Sequence, residues 1–175
     1  MGTRRRQALF GVFRQEQGIA LEFAIVLPVF LLLVFGLVDF GHAWYMDHLM
    51  SNASREGARY GTRFVTLGGA NNYGNLQNRI LPSNLIPSIP NYVNNRSSDN
   101  GGLGGWGLKY LLPADANPQV TLGGPAATES NPSVLAGKDL TVTVSARKTW
   151  MVIGRLVPGM GSYKDMTVST TMKCE

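Results

Sequence analysis

The chain has 175 residues, of which 44% are hydrophobic, a net charge of +5 and one cysteine, Cys174. A single cysteine excludes an internal disulfide and a cysteine-rich metal site. The basic residues do not cluster into a nucleic-acid footprint, so we expect no nucleic-acid partner. The length suits one domain of ordinary size and one anchor.

The most apolar segment lies near the N-terminus, where residues 23–38 carry no charge. Extending it to residues 19–45 gives the roughly 20 residues that a membrane-spanning helix needs, and brings in Glu22 and Asp39. The two acids are 17 residues apart in the sequence, about 25 Å along a helix. Each can therefore lie near a headgroup layer, where ionisation costs less than at the bilayer centre. We predict a transmembrane helix over residues 19–45.

The flanks of this segment predict its orientation. Residues 1–18 form a basic leader, which the positive-inside rule keeps in the cytoplasm, so the rest of the chain would be extracytoplasmic. Trp44 and Tyr45 follow Asp39 as an interfacial aromatic belt would, and these three residues mark the predicted outer membrane boundary. A cleaved secretory signal is a rival interpretation, but no A-x-A-like site follows the apolar run.

Pro28 lies inside the predicted span and removes one backbone donor. It should kink the helix and leave the carbonyl of Ala24 without its usual partner. Two interpretations stay open. Pro28 is either a tolerated membrane proline or a bend in a helix that packs among other helices.

The helical pattern continues outside the membrane over residues 46–66. Apolar and small residues recur every four positions, at Tyr45, Leu49, Ala53, Gly57 and Gly61. Arginines recur at the same interval on the opposite side, at Arg55, Arg59 and Arg63, and Glu56 can pair with Arg59. The pattern is typical of an amphipathic helix with a close-packing stripe (Ala53, Gly57, Gly61) and a basic stripe (Arg55, Arg59, Arg63). The backbone that packs on the glycines belongs either to the protein's own domain or to another subunit.

Residues 67–137 are rich in Gly, Asn and Pro, and are predicted to form loops with short elements. These include a turn of helix over 76–81 and a strand over 119–122, while the glycine-rich 101–107 is expected to be a flexible loop. Residues 138–175 contain two segments of alternating apolar and polar residues, within 139–150 and 163–173. We predict that these are antiparallel strands completing the extracytoplasmic domain, with one face covered by the stripe of the long helix.

Chemistry-bearing residues are sparse. The two histidines are His42 and His48, and no nucleophile motif, phosphate loop or dinucleotide fingerprint occurs. We expect a protein that is not an enzyme and that needs no cofactor or metal.

Residues 14–65 resemble the TadE-like pseudopilins of the tight-adherence (Flp, type IVb) pilus machinery. The resemblance is carried by Gly18 before Glu22 and Phe23, by Pro28, by Asp39 and by the REGAR segment at 55–59. It implies a pilin-like α+β fold, in which one long N-terminal helix, half transmembrane and half extracytoplasmic, is packed by a small antiparallel sheet.

The resemblance also implies a function. A prepilin peptidase would cut between Gly18 and Ile19, and Glu22 with Phe23 would dock the new N-terminus among other pilin-like subunits and the pilus assembly machinery. Glu22 is fourth after Gly18, whereas the family's usual acid is fifth. Two alternatives stay open: an uncleaved single-pass scaffold in the bacterial inner membrane, and an anchored extracytoplasmic binding module.

Overall fold

The structure, a computed structural model, contains one long N-terminal helix and a three-stranded antiparallel sheet. The predicted α+β class is confirmed. The residues that the structure describes are 4–67, 70–73, 88–100, 102, 104–129, 134–157, 159 and 161–175.

Helix α1 (Arg4–Thr62) has 59 residues, about 88 Å at ~1.5 Å per residue, and continues through Pro28 as one element. It ends at Thr62, whose hydroxyl donates to the carbonyl of Ala58 at 2.9 Å. The predicted continuation of the helix to residue 66 is wrong. Instead, strand β1 (Phe64–Leu67) begins two residues after the helix ends and pairs antiparallel with β2 (Ala70–Tyr73). Aromatic and β-branched residues favour strands, and so short an apolar segment satisfies a helical and a strand period alike.

The main sheet has the order β3 (Gln119–Gly123), β4 (Asp139–Thr149) and β5 (Tyr163–Lys173). Strands β4 and β5 pair antiparallel along their whole length, from Asp139 opposite Lys173 to Thr149 opposite Tyr163. Both predicted C-terminal strands are therefore confirmed, as is the short strand that starts at Gln119. The sequence did not indicate that this third strand joins the same sheet.

The sheet packs its apolar face on the second half of α1. Alternate residues of β4 are buried, namely Leu140, Val142, Val144 and Ala146. Opposite them, α1 buries Met46 and Met50, whereas Tyr45 is 51% exposed. The predicted stripe is thus buried at Ala53, Gly57 and Gly61 but not at Tyr45, because a helix repeats every 3.6 residues and a strict spacing of four drifts around it.

The remaining elements are short. They are α2 (Ile89–Asn94), α3 (Leu108–Leu111), α4 (Pro125–Thr128), α5 (Ile153–Leu156) and two 3-10 turns, Ser97–Asn100 and Ala114–Ala116. The predicted turn of helix over 76–81 lies outside the described residues. The glycine-rich stretch, expected to be a flexible loop, is tied down at Trp106, whose backbone N–H donates to the carbonyl of Tyr92 at 2.7 Å.

Candidate functional site: the apolar half of α1 and its junction with the domain

The first half of α1 carries an apolar surface that nothing in the described structure covers. From residue 20 to residue 38 every side chain is exposed, apart from Gly36, which is half-buried. This segment belongs to Ala20–Thr62, which contains an 18-residue window of mean hydropathy 2.7 and is long and apolar enough to cross a membrane. The exposed surface identifies this half of α1 as the candidate anchor.

The residues that were singled out for processing and docking all lie in or beside this segment. Gly18, Glu22, Phe23 and Pro28 are exposed. The peptide bond between Gly18 and Ile19 is inside the helix, since α1 begins at Arg4.

The folded domain covers the second half of α1, and the two are matched in length. The eleven residues of β4 span about 36 Å, and the 24 residues from Asp39 to Thr62 also span about 36 Å of helix. At the far end, the backbone N–H of Glu175 donates to the carbonyl of Thr62 at 3.3 Å. The near end is fixed at Asp39.

Asp39 is a buried junction between α1 and the domain. Its Oδ1 accepts the N–H of Met151 at 3.0 Å, and its Oδ2 accepts those of Val152 and Ile153 at 3.0 and 3.1 Å. The Nζ of Lys148, also buried, lies 3.7 Å from Oδ1 and donates to the carbonyl of Thr149 at 2.6 Å. A carboxylate can be removed from water when donors and a cation replace the lost hydration.

Sequence reasoning missed this role of Asp39. The sequence placed Asp39 at a headgroup layer. In the structure its carboxylate is bonded to Met151, Val152 and Ile153, which lie between 112 and 114 positions further along the chain. No local pattern around Asp39 announces such partners. Trp44 and Tyr45, which share its predicted boundary role, are exposed, and the Trp44 indole N–H donates to Nε2 of His48.

The close-packing stripe meets the protein's own domain, which resolves the alternative left open by the sequence. A Cβ built on Gly57 would lie 2.7 Å from Cγ2 of Val93. One on Gly61 would lie 2.5 Å from Cδ1 of Ile89 and 2.6 Å from Cδ2 of Leu140. Both glycines therefore let side chains of α2 and β4 approach α1 so closely that a larger residue would force them to shift, and Ala53 is buried in the same interface.

The basic stripe lies on the other side of α1. Arg55 and Arg59 are exposed on α1, and Arg59 pairs with Glu56 at 3.1 Å as predicted. Arg63 is also exposed but follows the end of the helix at Thr62, so the predicted stripe is two residues long on α1. Glu56 also accepts the hydroxyl of Tyr92 at 3.2 Å, which fastens α2 to α1. Burial and the neighbouring Glu56 carboxylate raise the pKa of Tyr92.

Fold and site together define a class of protein: an α+β domain built on the second half of one helix whose first half can cross a membrane. The family model described as TadE-like protein matches residues 18–59, about a quarter of the chain. The resemblance drawn from the sequence is therefore confirmed over the apolar segment and most of the covered part of α1. No curated protein and no solved structure matches the chain.

Proposed function

We propose that this chain is a minor pilin-like subunit, or an assembly or initiation factor, of a tight-adherence type IVb pilus system. Residues 19–45 hold it in the bacterial inner membrane, with residues 1–18 in the cytoplasm and the folded domain outside. It acts through helix–helix and domain contacts and not through catalysis. The observation that carries the proposal is the bare apolar segment, 20–38, within the stretch of α1 that matches the TadE-like family.

The arrangement supports both a membrane-held and an assembled state. The bare segment needs an apolar surrounding, which lipid or the helices of other pilin-like subunits can supply. Cleavage after Gly18 would leave Ile19 with a free amine, close to the exposed Glu22 of a neighbouring subunit. Because few positions bring an amine and a carboxylate together inside an apolar bundle, this pairing would fix the stagger between subunits.

The test is the N-terminus of the mature protein. The full chain is expressed with its cognate prepilin peptidase and, as the control, with a catalytically inactive peptidase, and the N-terminal residue is read by mass spectrometry. We expect Ile19 with the active enzyme and the uncut leader with the inactive one. An uncut leader in both samples would contradict incorporation by the pilin route.

A second candidate is an uncleaved inner-membrane scaffold of the same secretion apparatus. Two observations favour it: the Gly18–Ile19 bond lies within the helix, and Glu22 is one position nearer to Gly18 than the family pattern has it. This candidate predicts that Glu22→Gln leaves pilus assembly unchanged, as does the matched control Asp47→Asn further along α1. It also predicts fractionation with membranes and not with sheared fibres.

A further inference from the structure

We propose that residues 150–157, the first part of the connection between β4 and β5, enter the membrane leaflet nearer the folded domain and form a second lipid-contacting site of this protein. The inference rests on the proposed membrane anchoring by α1. The chemistry of the partner is that of the phospholipid interface, where headgroups meet the upper acyl chains.

Depth is the first argument, and Asp39 sets it. The backbone of Met151, Val152 and Ile153 is bonded to the Asp39 carboxylate, so these residues lie level with it. Ile153 reaches further along α1, since its Cδ1 lies 3.6 Å from where a Cβ on Gly36 would be. Gly36 is inside the uncharged run 23–38. The connection thus lies beside helix that was itself predicted to be in lipid.

The thickness of the bilayer points the same way. Glu22 and Asp39 are about 25 Å apart along α1, and a hydrocarbon core is about 30 Å thick. A core that begins at Glu22 would therefore extend about 5 Å beyond Asp39, past the segment bonded to it. The three amides and Lys148 around Asp39 make a carboxylate tolerable at that depth, because they replace the water it loses.

The surface chemistry of the connection fits this depth. Met151 is 68% exposed and Val157 is 42% exposed, so the segment 150–157, called the tip below, presents apolar side chains outward. Arg155 is the one charged residue in the sequence of 150–157.

A polar and aromatic layer lies behind the tip, further from α1's bare segment. The guanidinium of Arg147 lies 4.0 Å above the ring of Tyr163, which belongs to the last residue pair of the β4–β5 ladder. Arg147 also donates to Asp165 at 3.2 Å. An apolar tip followed by tyrosine and arginine is the order found where proteins meet the membrane interface. Another protein could also cover exposed apolar side chains, but the depth set by Asp39 favours lipid.

The proposal is tested on the full chain in phosphatidylcholine nanodiscs. In a Cys174→Ser background, a polarity-sensitive fluorophore is attached at Met151→Cys or, as a second site, Val157→Cys. The quencher is lipid carrying a spin label near the top of the acyl chain or, for a site at the bilayer centre, near the end of that chain. Val134→Cys is the matched control, because Val134 is also apolar and 46% exposed but lies towards the opposite end of the domain. Phe30→Cys in the bare segment reports on the anchor.

We expect roughly twofold or greater quenching at Met151→Cys and Val157→Cys and none at Val134→Cys, since interfacial segments reach about 5–10 Å into the headgroup–acyl boundary. Quenching at Phe30→Cys without quenching at either site in the connection would overturn this inference and leave the anchor intact. Emission shifted to the blue but unquenched at Met151→Cys would also overturn it, because protein and not lipid would then cover the tip. Absence of quenching at Phe30→Cys would overturn both proposals.

Discussion

The buried pair of Asp39 and Lys148 shows how one residue can decide where a domain sits. The Asp39 carboxylate accepts hydrogen bonds from three backbone N–H groups of the connection after β4, and Lys148 is buried beside it. If Asp39 were removed, the buried ammonium of Lys148 would lose the carboxylate with which it is paired. Three amides would lose their acceptor at the same time.

Asp39→Ala should therefore lower the free energy of unfolding of the domain by about 3–5 kcal/mol, the usual cost of breaking a buried ion pair. The measurement is chemical denaturation of the full chain in detergent, followed by tryptophan fluorescence. Asp47→Ala is the matched control, because Asp47 is an acid on the same helix that is exposed. Equal effects of the two substitutions would show that the Asp39 junction does not hold the domain.

At the scale of elements, the close contact between α1 and the sheet depends on two glycines. Glycine inside a helix costs about 1 kcal/mol relative to alanine, so alanine would be favoured wherever it fits. At Gly61 an added Cβ would fall 2.5 Å from Cδ1 of Ile89 and 2.6 Å from Cδ2 of Leu140, so alanine would force these two buried side chains to shift. Gly41 is a glycine of the same helix with no neighbouring atom within 4 Å of such a Cβ.

Alanine substitutions at Gly61 and at Gly41 should therefore change the stability of the domain in opposite directions. We expect Gly61→Ala to destabilise the domain by about 1–3 kcal/mol through overpacking, and Gly41→Ala to be neutral or stabilising by up to about 1 kcal/mol. Thermal unfolding of both variants in the same detergent checks this. A stabilised Gly61→Ala variant would mean that α2 and β4 pack less closely on α1 than the structure has them.

Elements differ in how far the sequence predicts them. The alternation of Leu140, Val142 and Val144 with polar residues is a local property of a strand, and it predicts β4 within one residue at each end. The helix end and the helix face are not local in this way. Phe64 fits a helical period, but it belongs to a strand that pairs with Tyr73.

For the molecule as a whole, the sequence predicts the division into an apolar half and a covered half of α1, but not how the two are joined. The bonds to Asp39 span more than a hundred residues, and their donors are backbone amides that any residue carries. A pattern of residue types therefore cannot reveal them. The candidate anchor follows from composition, whereas the junction needs the fold.

The reactivity of the Cys174 thiol reports whether the domain is folded. It is buried where β5 ends, and its backbone N–H donates to the carbonyl of Lys138 at 2.9 Å. Burial, with a smaller contribution from the Asp139 carboxylate, raises the pKa of the thiol above its ordinary 9.0. The raised pKa favours folding below about pH 9, and this contribution is lost as the pH rises through the folded-state value.

At about pH 8, where a free thiol is partly ionised, Cys174 should react with iodoacetamide far more slowly in the folded chain than in denaturant. Mass spectrometry against time measures the two rates. Similar rates would show that the C-terminal end of β5 is not docked as described, and an exposed cysteine at Val134→Cys provides the reference for unhindered alkylation.

The equal length of the strands and of the helix they cover has a mechanical consequence. A pulling force along the axis of α1 would load the helix–sheet contact in shear. The packed side chains from Asp39 to Thr62 would then resist the sliding of the sheet along the helix together. A sideways pull would instead peel them apart in turn. With its carboxylate held by three amides, Asp39 acts as a stop against sliding, and the domain should travel with its helix under axial force.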